Sequence, residues 1–382
     1  MAARSIARRR VSRRETPVRY AVVGLGYIAQ TAVLPAFAHA RRNSRLAALV
    51  SDDPAKLRRL SRRYRVEKTY SYEEYGACLE SGDIDAVYIA LPNFLHRTYA
   101  VAAARAGIHV LCEKPLAVTE EECEDIVLAA EEAGVRLMTA YRLHFEQANL
   151  EAVRVARSGR IGEPRLFQSM FTMQVEKGNI RLEPEGKGGG PFYDIGVYCI
   201  NAARYLFRAE PNEVFAVRAT SDEKRFGDVA ETASAILRFP GDRLAAFTCS
   251  FGAADAGWYQ LVGTRGDLRL DPAYEYAKPL RHVLTVDGRS RQRTFAKRDQ
   301  FAAELLAFSD GVVRGRDPEP SGREGLADVR VIRALLRSAD TGRPVTLSPF
   351  ERSRRPGPAQ AIRRPAVPRE PELVHAQAPS AG

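Results

Sequence analysis

The chain has 382 residues, 45% hydrophobic and 27% charged, which is enough for two domains with buried cores. No apolar run approaches the roughly 20 residues of a membrane span. Five scattered cysteines (Cys78, Cys112, Cys123, Cys199, Cys249) form neither a zinc spacing nor a disulfide framework, so they read as reduced thiols of a cytoplasmic protein. The net charge of +11 sits mostly at the ends, +6 in residues 1–20 and +3 in 351–382. The body is left nearly neutral, and no nucleic-acid or membrane partner is expected.

Residues 1–17 read as a basic arm. Ser12-Arg13-Arg14 resembles the start of a twin-arginine export signal, but Glu15 and Thr16 lead directly into a strand with no apolar h-region, so export is not expected. From residue 18 to 142, five short apolar runs (VRYAVVGLG, LAALVS, DAVYIALP, HVLCEKP, RLMTAYR) alternate with helical patterns. That alternation predicts βαβ units around a parallel sheet, with ligands at the carboxyl ends of the strands. From 143 to 349, close-spaced strands joined by PGD and RGD turns leave little room for crossover helices. They predict an α+β domain with a mostly antiparallel sheet, closed by helices at 298–314 and 323–340. Residues 350–382 are rich in Pro, Arg and Ala without periodicity and read as disordered.

The first strand ends in GLGYIA, residues 24–29, a G-x-G-x-x-A pattern. Gly24 permits the tight turn, Gly26 lets the backbone approach a pyrophosphate, and Ala29 allows close helix–strand packing, with Tyr27 and Ile28 opening the helix. The second strand ends VSDDPAKLRR. With Ser51 at the position that is usually acidic, and with Lys56 and Arg58 nearby, NADP is favoured; with Asp52 there, NAD is. The reading leans to NADP, with NAD possible.

The stretch YDIGVYCINAARYL, residues 193–206, places Asp194, Tyr198 and Asn201 on one helical stripe of an otherwise apolar run. Such groups either cap structure or face a ligand. No histidine fits a metal-ligand spacing, so no metal is expected.

Taken together, GLGYIAQTAVLPAF, YIALPNFLH, LCEKPLAV, AYRLHFEQAN and GGGPFYDIGVYCINAARYLF resemble the Gfo/Idh/MocA oxidoreductases, especially the glucose–fructose oxidoreductase group, over about residues 18–348. The resemblance implies a Rossmann domain followed by an open sheet whose outer face makes a homodimer or homotetramer. It implies NADP-dependent hydride transfer to or from a carbon of a sugar or polyol. In Glu113-Lys114-Pro115 the lysine would reach the substrate oxygen, and the Lys–Pro bond is often cis. Pro92, Asn93, His96 and Glu113 would line the cofactor site, with Tyr141 and Arg142 near the nicotinamide. Arg181 would contact substrate or cofactor, or pin its own loop. Tyr198 would be the general acid/base, with its phenolate favoured by the Lys114 ammonium. Asp194 would bind a sugar hydroxyl and hold Lys114, with Asn201 as support. The alternative implied by the superfamily is a non-catalytic, dinucleotide-sensing regulator.

Overall fold

The computed structural model describes residues 16–379 except Asp228 and Ser353. The basic arm read from the sequence therefore lies almost wholly outside the described residues.

The first sheet takes β1 (Val18–Val23), β2 (Ser44–Val50), β3 (Lys68–Tyr70), β4 (Ala86–Ile89), β5 (His109–Glu113) and β6 (Leu137–Ala140). All pairs are parallel, in the order β3-β2-β1-β4-β5-β6. The order reverses between β1 and β4, which opens a crevice at the carboxyl edge. Both faces are covered, so the central strands are continuous apolar runs: every residue of β4 is buried.

The crossovers are α1 (Leu34–Ala36, continuing a π-helical turn over Ala29–Val33), α2 (Pro54–Tyr64), α3 (Tyr75–Glu80), α4 (His96–Arg105) and α5 (Glu120–Glu132). Their ends are chemically set. Asp53 caps α2 through the Ala55 and Lys56 amides, with Pro54 at the first position. Thr119 and Glu122 close a capping box on α5.

After α6 (Gln147–Arg157) the second sheet begins with β7 (Pro164–Gln174), which leads through a long loop to a π-helical turn (Phe192–Gly196) and α7 (Val197–Phe207). Strands β8 (Glu213–Ala219), β9 (Thr232–Phe239), β10 (Arg243–Ser250), β11 (Gly252–Gly263), β12 (Gly266–Leu270), β13 (Leu280–Val286) and β14 (Arg289–Phe295) follow. Then come α8 (Gln300–Arg314), α9 (Gly322–Thr341) and the short β15 (Val345–Thr346). The order is β14-β13-β12-β11-β7-β10-β9-β8-β15, antiparallel except for β7 with β10. One face packs on α7 and its neighbours; the other is open, with Leu166, Val217, Ile236 and Leu244 each at least 40% exposed.

Two sequence expectations are corrected. Helix α8 falls in the stretch expected to belong to the second domain, but Phe301, Leu305 and Phe308 pack into the core beneath β1 and β2. Its apolar face follows a helical period that says nothing about which sheet it covers. The described part of the tail, residues 350–379 without Ser353, is not a loose segment. It has almost no regular structure, yet it is tied to the body: Arg352 and Arg355 form ion pairs with Glu324 and Glu210, Ile362 bonds the Phe145 carbonyl, and Val374 is fully buried. Its order comes from distant partners and not from local periodicity.

Candidate active site

The site forms where the carboxyl edge of the first sheet meets the N-terminal end of α7. Lys114 follows β5, and the Lys114–Pro115 bond is cis. Its Nζ donates to the Asp194 carbonyl at 2.7 Å and to Asp194 Oδ1 at 3.2 Å. Arg181, on the loop after β7, donates from Nε to Asp194 Oδ2 at 2.6 Å. Burial opposes the charge on Asp194, but Arg181 and Lys114 outweigh it and hold the carboxyl at about 2. Burial likewise opposes the charge on Lys114; Tyr198, Asp194 and Glu113 overcome it, so the ammonium is kept.

The Lys114 ammonium lies 4.8 Å from the Tyr198 ring centroid and the Arg142 guanidinium 5.1 Å from it. Phe171 packs edge-on to Tyr198 at 5.7 Å, and Tyr274 lies at 5.9 Å. From Pro191 to Phe207, only Asp194 and Tyr198 escape full burial. The two polar side chains face the cleft and the rest of the helix is core. The π-helical turn at Phe192–Gly196 adds a residue to the turn that carries Asp194. A Cβ on Gly196 would crowd Phe192, Pro191 and Cys249 at 3.2–3.3 Å, so the helix start sits close against β10.

The edge beside this cluster fits a dinucleotide. Gly24 has φ +91°, and a Cβ there would lie 2.5 Å from the Ala90 carbonyl oxygen. Gly26 by contrast faces open space, with nothing within 4 Å of where its Cβ would be. A helix N-terminus behind a bare backbone turn is a pyrophosphate cradle.

The comparisons with known proteins agree with this geometry. Residues 18–141 match the model of the oxidoreductase family with an NAD-binding Rossmann fold, and residues 149–269 match the GFO/IDH/MocA C-terminal domain. The chain belongs to the GFO/IDH/MocA oxidoreductases. A D-xylose 1-dehydrogenase [NADP(+)] of Haloarcula marismortui is 32% identical over 342 residues, covering 87% of this chain and 94% of that protein. The solved aldose-aldose oxidoreductase of Caulobacter crescentus, complexed with glycerol, is 37% identical with a TM-score of 0.83, covering 87% of this chain and 100% of that one. A 3-ketoreductase of Actinomadura kijaniata, solved with NADP and TDP-benzene, is 29% identical with a TM-score of 0.77, covering 85% of this chain and 98% of that one.

Within this GFO/IDH/MocA site, several expected cofactor residues do other work. His96 is fully buried, with Nδ1 2.9 Å from the Pro115 carbonyl and Nε2 2.9 Å from that of Leu91. Burial lowers its pKa, so the neutral ring donates to one of them and braces the loops instead of lining the cleft. Tyr141 is 2% exposed and stacks on His144 at 5.5 Å. It belongs to the core behind the site. Glu113 accepts from the Tyr88 hydroxyl at 2.8 Å, and burial raises its pKa; it supports the end of β5.

Other residues of the family pattern lie around the carboxyl edge of the first sheet. Asn93 is half-buried beside Pro92 and donates to the Gly188 carbonyl at 2.7 Å, joining the Rossmann loop to the loop that carries Arg181. Arg142 is fixed by Gln300 and the Tyr274 carbonyl. Ser51, buried, directly follows β2, with half-buried Lys56 and exposed Arg58 next on α2, and Tyr27 and Ile28 are half-buried at the phosphate turn.

Sequence reasoning missed Phe171, Tyr274 and Tyr276. Tyr276 stands 5.2 Å from Arg142 and beside Tyr27, so it spans the two domains. The alternating Tyr-Glu-Tyr of a loop was the only signal, and it resembles many turns. Asn201 lies one turn deeper than Tyr198, at 3% exposure, bonded to His144, Glu324 and Asp328. Among the described residues no group of three or more His, Cys, Asp or Glu could hold a metal, and no helix is long and apolar enough to cross a membrane.

Proposed function

We propose that the chain is an NADP-dependent oxidoreductase of sugars or polyols, and that Tyr198, Lys114 and Asp194 are its catalytic residues. The observation that carries this reading is the convergence of one phenol, one ammonium and one ionised carboxylate beside the dinucleotide cradle. The cofactor, when bound, supplies the hydride acceptor or donor. Lys114 hydrogen-bonds the substrate oxygen and favours negative charge on it. Tyr198 exchanges the proton of that oxygen, and the cations of Lys114 and Arg142 against its ring offset the charge left on the phenol oxygen. Asp194 anchors Lys114, and Arg181 fixes Asp194. Phe171, backed by buried Tyr274 stacked on it at 5.0 Å, closes the apolar side, where a sugar's C–H face would stack.

NADP is supported by how the two acids after Ser51 are used. Asp53 caps α2, and Asp52 accepts the Tyr72 amide at 2.7 Å. Asp53 is thus committed on both carboxyl oxygens, to the α2 cap and to His375, and Asp52 on one, while Ser51 takes the position that is usually acidic and Lys56 and Arg58 lie nearby to receive a phosphate. The relatives named for NADP point the same way. The remaining expected cofactor contacts are Gly24, Gly26, Tyr27, Ile28, Pro92 and Asn93, with Arg142 beside the nicotinamide. The open sheet face, with Val217 53% and Ile236 49% exposed, supports a homodimer or homotetramer. Five free, buried cysteines support a cytoplasmic location.

The test is a mixture of stoichiometric protein, NADP and a panel of aldoses, polyols and inositols, read by the near-ultraviolet absorbance of reduced nicotinamide. A signal with at least one sugar is expected. Silence with every sugar, with NAD as with NADP, would remove the dehydrogenase reading.

A further inference from the structure

The C-terminal segment lies against the phosphate turn and the start of α2. Its seat is Gln30, the residue after Ala29 of the glycine pattern, with a fully buried side chain. Gln30 Nε2 donates to the Leu25 carbonyl inside the phosphate turn at 2.9 Å and to the Val374 carbonyl at 2.8 Å, and its Oε1 accepts the Val374 amide at 2.8 Å. The side chain thus pairs with Val374 as a neighbouring strand would, while gripping the turn that cradles phosphates. Val374 is fully buried in the core that also contains Ala29.

On either side the segment is fixed again. His375 Nδ1 lies 2.8 Å from Asp53 Oδ2, at the end of the strand where the adenosine ribose binds. Arg59 and Arg63 hold Glu372 through its carboxylate and its carbonyl. Five residues beyond Val374, the Pro379 carbonyl accepts the Glu176 amide at 3.2 Å, on the loop that carries Arg181. Five extended residues reach at most about 17 Å, so the segment links the phosphate turn to the substrate domain over a short span. The Caulobacter relative is matched in full by 87% of this chain, so this chain carries length that the relative does not.

Resting on the NADP reading above, we propose that residues 372–379 form a strap over the adenosine end of the cofactor site, which retains NADP between turnovers and must detach for exchange.

The experiment measures NADPH release from the full-length protein by stopped-flow fluorescence with excess NADP as chase. It is repeated with a chain ending at Pro368, with Val374→Asp, and with His375→Ala. His375 is largely exposed (63% of its side chain), so that variant keeps the proposal testable if the others fold poorly. Release is expected to quicken about tenfold or more in the truncated chain and in Val374→Asp, and by less in His375→Ala, since affinity changes of this kind appear mainly in the off-rate. Release within twofold of the full chain in every folded variant would overturn the strap while leaving NADP chemistry standing. Tighter NADPH binding after truncation would overturn it too, because the segment would then be an occupant of the site and not its wall. Failure of the full chain to bind NADPH would overturn the cofactor reading and the strap with it.

Discussion

The polar stripe that runs from the π-helical turn into α7 has two ends, both polar, that differ in how their neighbours close over them. At the front, Asp194 and Tyr198 meet Lys114 and Arg181, with side-chain exposures of 11% for Lys114 and 18% for Asp194. At the back, Asn201 and Arg204 are roofed by α9. Arg204 pairs with Glu210, Glu324 and Asp328 at zero side-chain exposure, and Arg352 of the tail reaches Glu319 and Glu324. The back is a closed set in which four carboxyls face Arg204, Arg352 and Arg355. Burial, together with Glu324, raises the pKa of both Asp328 and Glu319. The front leaves Tyr198 partly open and its cations unevenly paired, which is what a site needs if a substrate oxygen is to complete it. Closure by neighbours separates structural charge from chemical charge.

The comparison breaks most sharply at Tyr198. Tyr198→Phe keeps the ring and its contacts with Phe171 and Lys114 but removes the proton. We expect kcat to fall by about 10²–10⁴, the usual worth of a positioned acid/base, with thermal stability nearly unchanged. Single-turnover rates beside a melting curve check both. Arg204→Met should do the reverse. It leaves buried Asp328 without its guanidinium and Glu324 with Arg352 alone, at a cost of about 3–5 kcal/mol read by urea unfolding. A variant as stable as the parent would show that the back cluster is dispensable.

The front was legible in the sequence and the back was not. Asp194 and Tyr198 stood out as polar residues at helical spacing in an apolar run, and the glycine turn, Lys114 and the two-sheet plan followed from pattern and resemblance. Arg204 had the same helical spacing but reads as a solvated arginine, because hydropathy cannot show that α9 and the tail close over it. Arg352 and Arg355 were lost in a segment whose composition argues for disorder; their partners lie more than 25 residues away in sequence. His96 follows the cofactor loop in sequence, so its placement there was natural. Two carbonyls, those of Leu91 and Pro115, turn it inward. Gln30 is one polar residue on a helix, and nothing local announces that it clamps Val374. What failed to show was always a partner distant in the chain.

A smaller effect sharpens the front. The Asp194 carboxyl is held at about 2, below the ordinary value of about 3.9. Its ion pairs therefore add stability that is fully present above about pH 4 and is lost as pH falls through about 2, on the order of 2 kcal/mol. Asp194→Asn should be less stable than the parent at neutral pH, and the gap should close toward pH 2. Denaturant midpoints for both proteins across that window measure it. A gap independent of pH would mean that the carboxylate charge is not what stabilises the loop bearing Arg181.

The smallest effect lies at the junction of the two ends. Asn201 accepts from His144 Nε2 and donates to both Glu324 and Asp328 at 2.8 Å. Burial pushes the His144 pKa down to about 4, so at neutral pH the ring is uncharged and serves as a single donor. Asn201→Ala removes that acceptor and two donors, but Arg204 still neutralises the carboxylates. The expected loss is therefore about 1–2 kcal/mol, the price of unsatisfied buried groups, well short of the effect at Arg204. If Asn201 belongs to the back, kcat for the sugar should stay within about twofold, since no proton or substrate oxygen passes through it and the stability loss is too small to unfold the chain. A drop in kcat as large as that of Tyr198→Phe would place Asn201 with the front, and the division of the helix would then fall between Asn201 and Arg204.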